Sequence, residues 1–469
     1  MINFLLLQGL VLCTLLLVFF AIDRRSKKGA TATPTYTCKD QPFKLLKMDM
    51  DLTIIPLKHA LELRAVTSDK LDPLTASFDD NAGSLTGILL GSELHSDAIH
   101  RRLTPGLPRI IPVVLDELKC TFGKVLPECV GKWAPVIPYD LILNLSTRAS
   151  ARVFVGEPIC RDERFLDTSA SYSRNTFDTI ATFRNLGKGV GALLEFFSPT
   201  SSVSNAREQL RYVQQLLGSE VERRRASPDE KHDDFLQWCI DLARTEEEAK
   251  PEALAHRTLG ILSMAVVHTT AMATTHMLFD IMANPDLRDA LKKEQEAILP
   301  NGWQEISQKA MLEMRLLDSL MRESQRFNPV GEFTFRRVVR KPITLSDGYK
   351  LKPGQQIGLL ARQFGMEDGM IGDENADSFS PFRWSHQKQA SALFSHSSSA
   401  NLHFGLGRYA CPGRFFASYM IKSIMSRILL EYDLKLEGND MTRRPVNSIQ
   451  GDKILPNRES VVLLRRRGT

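Results

Sequence analysis

A helix that is apolar all the way round has to be surrounded by the rest of its protein, and one stretch of this chain reads that way. It runs from Pro251 to Ala283, is mostly apolar, and closes at Asn284-Pro285. A buried central helix needs companions, and several are legible. Ser96 to Leu118 carries apolar residues at helical spacing, interrupted by Pro105, Pro108 and Pro112, so two pieces are expected. Ala206 to Arg225, Asp286 to Leu299 and Lys309 to Phe327 read as amphipathic helices. Strand signals are few and late. They are Phe333 to Val339, a hairpin from Ile343 to Leu351 through Ser346-Asp347-Gly348, Gln355 to Leu360, and Ser460 to Leu464. Ala390 to Ala400 is serine-rich and reads as irregular. The expected class is mainly α with small β-sheets.

Composition removes several function classes. The chain has 469 residues, 43% hydrophobic and 25% charged, which suits a globular protein with a substantial core. A net charge of +5 with no aromatic-studded basic stripe argues against nucleic-acid binding. The seven cysteines (Cys13, Cys38, Cys120, Cys129, Cys160, Cys239 and Cys411) are odd in number and scattered, with no CxxC pair. They form neither a disulfide framework nor a structural zinc motif, so any cysteine chemistry rests on a single special residue.

Ile2 to Ile22 is apolar and uncharged, and as a helix it spans about 31 Å, close to a bilayer's hydrocarbon thickness. Asp23-Arg24-Arg25-Ser26-Lys27-Lys28 follows, and such a basic cluster favours the cytoplasmic side. A cleaved signal peptide is the other reading. The run is long for one and lacks a basic start, so a signal-anchor fits better. The division expected is an anchor over 1–22, a linker over 23–42 and a catalytic domain over 43–469. On this topology the body faces the cytosol from the endoplasmic reticulum membrane as a single-pass protein, and the Asn144-Leu145-Ser146 sequon escapes glycosylation.

The chemistry concentrates in Phe404-Gly405-Leu406-Gly407-Arg408-Tyr409-Ala410-Cys411-Pro412-Gly413-Arg414. A glycine-bearing loop presents one cysteine and runs into a helix. The positive end of a helix and its free N–H groups favour a thiolate there. Gly407 and Gly413 permit a tight turn and close approach to a flat cofactor. A buried, inert cysteine is the ordinary alternative. A zinc set of His396, His403 and Cys411 is irregularly spaced and lacks a fourth ligand.

This loop resembles the cysteine-ligand loop of cytochromes P450, FxxGxRxCxG, through Phe404, Gly407, Cys411 and Gly413, with Tyr409 in the family's arginine position and basic Arg408 before it. Glu323-Ser324-Gln325-Arg326, closed by Phe327-Asn328-Pro329, is similar to the family's ExxR helix. Asp377 to Trp384 resembles its PERF region, and the resemblance implies that Arg383 joins Glu323 and Arg326 in a buried charge network. Ala265-Val266-Val267-His268-Thr269-Thr270 resembles AGxET, the segment above the iron. There Thr269 would organise protons for dioxygen activation. His268 stands in the acid position, where histidine can relay protons near neutral pH. Val266 replaces the small residue and is expected to narrow the space over the haem or shift the helix bulge. A threonine bonded back to its own helix is the plain alternative for Thr269. Arg336 or Arg337 matches a position that contacts a haem propionate. His100, Arg101 and Arg102 fall in a segment that often adds another contact. Surface charge is the other reading for each.

The resemblance covers about Phe43 to the C-terminus and implies the cytochrome P450 fold, preceded by one N-terminal transmembrane helix. The region between anchor and body is shorter than is usual in the family. The cofactor implied is haem b (iron protoporphyrin IX), with Cys411 as the metal ligand and thiolate donation favouring O–O cleavage. The partners implied are O2, an apolar small molecule, and an NADPH-cytochrome P450 reductase docking on the cysteine side. The His-Thr-Thr segment, Leu103-Thr104-Pro105 and Glu323 to Pro329 resemble fungal enzymes of specialised metabolism. They point to a terpenoid such as a diterpene or indole diterpene. A P450-fold enzyme of rearrangement, dehydration or ring closure, and a haem protein without turnover, are the alternatives.

Overall fold

The computed structural model describes residues 41–46, 50–81, 83, 91–186, 202–367, 371, 375–438 and 443–468. The expected anchor, and the linker up to residue 40, lie outside the described residues.

Among the described residues eight longer helices frame the molecule: α1 (Leu107–Val125), α2 (Pro138–Val155), α3 (Glu163–Leu186), α4 (Ser202–Ala226), α5 (Pro251–Met282), α6 (Pro285–Ile298), α7 (Arg315–Phe327) and α8 (Arg414–Glu431). Helix α5 is the apolar stretch read from the sequence. It is long and apolar enough to cross a membrane, yet 72% of its most apolar window is buried inside the molecule. Leu254, Leu259, Leu262, Phe279 and Ile281 have no exposure at all. It is enclosed by α2, α3 and α7, which makes it a core helix. Asn284-Pro285 ends it and at once starts α6. The Asn284 side chain accepts from the Leu287 N–H, and Pro285 fills a first-turn position that needs no donor.

The proline-interrupted stretch does divide, but not at every proline. A short α-turn (Leu94–Ala98) passes into a π-helical turn (Ile99–Leu103), and α1 begins after the break at 104–106. Pro112 is accommodated inside α1. Lys309 to Phe327 also divides, at Met314, into Gln308–Glu313 and α7.

The sheets are small. Strands β1 (Phe43–Leu46), β2 (Asp51–Ile54), β3 (Leu71–Asp72), β5 (Phe333–Val339) and β8 (Gln356–Leu360) form one sheet in the order β1-β2-β8-β5-β3. Strand β2 runs parallel to β8, and the other pairs are antiparallel. Strands β4 (Ala134–Val136), β12 (Val462–Arg466) and β9 (Tyr432–Leu436) form a second sheet. Two hairpins complete the set: β6–β7 across Ile343–Leu351, as expected, and β10–β11 (Ser448–Gln450 and Lys453–Leu455).

Helix α8 leaves the cysteine loop and packs into the core through a buried ion pair with α7. Lys422 Nζ lies 2.6 Å from Asp318 Oδ1 and donates to the Met311 carbonyl at 2.7 Å. Asp318 Oδ2 in turn accepts the Phe394 N–H at 2.7 Å. Both side chains are almost wholly buried. Lys422→Ala strands a carboxylate in the core, so it should cost about 3–5 kcal/mol of stability. Chemical denaturation of the two proteins should show that loss, and an unchanged midpoint would contradict the pairing.

Candidate active site

The cysteine loop is shaped by backbone. The Cys411 N–H donates to the Phe404 carbonyl at 2.7 Å and pinches the loop shut. Gly405 and Gly407 take φ of 81° and 71°, values that L side chains rarely adopt. At Gly407 space forbids a side chain as well, because an added Cβ would meet the Arg64 carbonyl oxygen at 2.4 Å. Gly413 caps α8, and its carbonyl accepts the Ala417 N–H at 2.9 Å. The sulfur thus sits just ahead of a helix, where the N–H groups of Gly413 and Arg414 address it. Burial pushes the thiol up, while those two N–H groups and the Arg414 charge pull it down. The side chain opens onto a cavity of about 640 Å³.

A charge network holds the neighbouring segments. Glu323 has no exposure and Arg326 only 2%. The guanidinium meets the carboxylate at 2.7 and 2.9 Å, and Arg383 reaches it at 3.4 Å. The Ser380 N–H adds a bond at 2.7 Å. Arg326 also grips the carbonyls of Gly365, Ala376 and Ser378, while Arg383 takes those of Asn375 and Ser378. This is the arrangement expected from the motifs. Beside Glu323 on α7, Arg322 bonds the carbonyls of Ser391 and Ala400 and lies over Trp384, so it reaches the chain just before the cysteine loop.

Helix α5 forms the facing wall. Between α-helical Pro251–Gly260 and His268–Met282, residues Ile261–Val267 are π-helical. Val266 stands within this π-helical stretch. Ala265, Val266, Thr269 and Thr270 line the cavity that Cys411 also lines. The Thr269 hydroxyl donates to the Ala265 carbonyl at 2.6 Å, so the plain reading of the threonine and its cavity position hold together.

His268 corrects the sequence reading. It is 4% exposed and does not line the cavity. Its Nε2 meets the Ala170 carbonyl at 3.0 Å and so carries the proton. Nδ1 then accepts the Tyr139 hydroxyl at 2.7 Å. Burial pushes the imidazole down to about 4, so it is neutral at pH 7. The ring ties α5 to α2 and α3 and stands outside the cavity lining. An i-to-i+1 step on a helix turns a side chain by about 100°, which separates the directions of His268 and Thr269.

The arginine pair on β5 is sorted by a bulge. The register with β8 shifts between Thr334 and Arg337, and Phe335 takes φ of 51°, an uncommon value for a bulky residue. Arg336 turns to Asp80 at 2.7 Å and to Gln356 at 2.7 Å. Its charge is already paired, against the expectation that it serves the cofactor. Arg337 is buried among the Phe335 and Tyr409 rings and donates to the Arg336 carbonyl at 2.7 Å. Both arginines line the cavity. Tyr409 accepts the Ser68 N–H at its hydroxyl, so the residue in the family's arginine position braces the loop. Arg408 lines the cavity near it. His100, Arg101 and Arg102 are exposed and outside the cavity wall, where the same segment supplies His95, Ser96, Ile99 and Leu103. His403 and Cys411 line the cavity and His396 does not. Among the described residues no three potential metal ligands gather.

A thiol facing the cavity, helix-end N–H groups, a glycine cradle and Arg337 in the same wall fit a flat, anionic, metal-bearing cofactor. The cytochrome P450 family model matches residues 98–459. The chain belongs to the cytochrome P450 family. Haem b is the family's cofactor, and the protein is a P450 monooxygenase. It is 65% identical to the cytochrome P450 monooxygenase terP of Tolypocladium album, with 100% of this chain and 98% of that one covered. It is 63% identical to ltmP of Epichloe festucae var. lolii, covering 91% and 86%. It is 59% identical to idtP of Claviceps paspali, covering 92% and 87%. Both are also named cytochrome P450 monooxygenases.

Sequence reasoning missed the Tyr139 and Asp80 partners, the wall residue Phe177 and the hairpin tip Asp452-Lys453. None carries a local signal, since each matters only through a distant contact. The buried imidazole gives a pH prediction. The folded P450 holds His268 near 4, below the ordinary 6.5, so the unfolded chain binds more protons between those values. The stability that neutral His268 contributes is complete above about pH 6.5 and drains as pH falls towards 4. Melting temperatures across pH 7 to 4.5 should therefore fall, and His268→Gln should flatten part of that fall. An equally steep profile in the variant would contradict it.

Proposed function

We propose that this P450 oxidises a bulky apolar terpenoid, of the diterpene or indole-diterpene class, by inserting one oxygen atom of O2 into a C–H bond. The observation that carries the reading is the Cys411 thiol, set before a helix end, and Thr269 on the facing wall of one cavity. Apolar wall residues such as Ile99, Leu103, Phe177, Ile180, Ile261 and Val266 support an apolar guest. The likeness to named P450 monooxygenases supports the reaction class.

In this reading Cys411 would ligate the haem iron. Phe404, Gly407, Arg408 and Gly413 would cradle the cofactor. Of the two β5 arginines, Arg337 would be the cation for a propionate. Haem b, when bound, supplies dioxygen activation, and thiolate donation favours it. The protein's own work is to keep water out, hold the guest and place protons. With its proton given to the Ala265 carbonyl, the Thr269 oxygen is left as an acceptor on the cavity side, able to orient a proton donor there. Electrons come from NADPH through a P450 reductase on the cysteine side. Residues 2–22 anchor the protein in the endoplasmic reticulum membrane with the catalytic domain in the cytosol.

Two experiments test this. The reduced carbon monoxide complex should give the red-shifted band of thiolate-ligated haem, and Cys411→Ser should abolish it. A normal band in that variant would remove the ligand assignment. Thr269→Ala should lower product formed per NADPH consumed by about tenfold, with Thr269→Ser recovering much of it. Unchanged coupling in Thr269→Ala would refute the proton-placing role.

A further inference from the structure

The β10–β11 hairpin enters the cavity wall at its tip, where Asp452 and Lys453 line the same space as Cys411 and Thr269. Gly451 makes the turn with φ of 62°. The tip is pinned on one side by the Glu332 N–H, which donates to the Asp452 carbonyl at 2.8 Å. On the other side Lys453 Nζ lies 5.4 Å from the centre of the Phe177 ring, a cavity residue of α3. The hairpin therefore closes the guest space between β5 and α3.

A short two-stranded hairpin is marginal by itself and needs support. Here the support is a polar cluster around Arg444. Arg444 Nε bonds Asp280 Oδ1 at 2.5 Å, Nη2 bonds His276 Nδ1 at 3.0 Å, and Nη1 bonds Asn447 Oδ1 at 2.7 Å. With Nδ1 accepting, His276 carries its proton on Nε2, which donates to the Ile454 carbonyl of β11 at 3.2 Å. Asp280 Oδ2 accepts the Ser324 hydroxyl of α7 at 2.5 Å. Asn447 donates to Asn328, which bonds back to the Ser324 carbonyl. His276 and Asp280 stand on α5, about two and three turns beyond Thr269. Ser324 is the neighbour of Glu323. One guanidinium thus joins the hairpin's root to the helix of the facing wall and to the helix that anchors the charge network.

We propose that Arg444 is a positioning residue for substrate selection, holding the β10–β11 hairpin at a fixed depth in the cavity and so setting the space available to a guest. Five N–H donors in a planar fork serve the carboxylate, the imidazole and the amide at once. A lysine offers a point charge and cannot span the three. The burial of His276, together with the Arg444 charge, pushes the imidazole down to about 3, so it stays a neutral acceptor for Arg444 across the working pH range.

The inference rests on the reading of this cavity as the haem and guest site, and the test separates the two. The full-length protein and Arg444→Lys are compared by Soret titration with imidazole and with 4-phenylimidazole, a small and a bulky nitrogen ligand for haem iron. The ratio of their affinities reads the space above the iron. Arg444→Lys should keep the carbon monoxide band and the imidazole affinity, and shift the bulky-to-small ratio by about tenfold. A change in melting temperature alone, with the ratio unmoved, would overturn the proposal. Lys453→Gln, which alters the tip and leaves the root intact, should shift the same ratio in a protein of unchanged stability. If Lys453→Gln leaves the ratio unmoved, the hairpin does not set the guest space and the proposal falls as well. A wild-type protein lacking the thiolate band would instead sink the site reading itself.

Discussion

The rest of the site depends on a carboxylate buried to zero exposure. Glu323 is satisfied by Arg326, Arg383 and the Ser380 N–H, and Arg326 spends its remaining donors on the carbonyls of Gly365, Ala376 and Ser378. Charges this deep persist only when nearly every donor and acceptor is met. The cost is offset by what is gained in placement. Two segments distant in sequence, one at Gly365 and one over Ala376–Arg383, are fixed to one turn of α7, and Arg322 beside Glu323 carries the hold to Ala400, just before the cysteine loop.

From that anchor the two walls of the cavity follow. The lower one is a backbone construction: two glycines at positive φ, a pinched Cys411–Phe404 pair, and a helix start behind the sulfur. The facing one is α5, whose π-helical turn and back-bonded Thr269 set which side chains meet the guest. Three buried polar groups of α5 lead away from the cavity. His268 reaches Tyr139 and Ala170, while His276 and Asp280 reach Arg444. A long apolar helix is thereby fixed in rotation as well as in place, because each such bond has one geometry that satisfies it.

Much of this was legible in the sequence, and the failures have a common cause. The core helix, the hairpin at 343–351, strand 333–339, the charge triad and the cysteine loop are each written in contiguous residues. Short strands such as β3 and β4 were not, since two or three residues carry no period. His268 was misread because its motif position suggested the cavity while the helix turns it toward Tyr139. Arg336 and Arg337 were indistinguishable in sequence, because a bulge at Phe335 overrides strand alternation.

The sequence by itself determined the family, the cysteine loop, the identity of the buried helix and the members of the charge network. These are local facts: a spacing, a run of apolar residues, a glycine where a turn needs one. Only the tertiary structure decided which arginine is spent on Asp80 and which faces Tyr409, that His268 binds helices together, and that Arg444 braces a hairpin at the cavity. Such assignments turn on partners far apart in the sequence. A side chain's direction depends on the helix rotation and sheet register that packing imposes, and no local pattern encodes those.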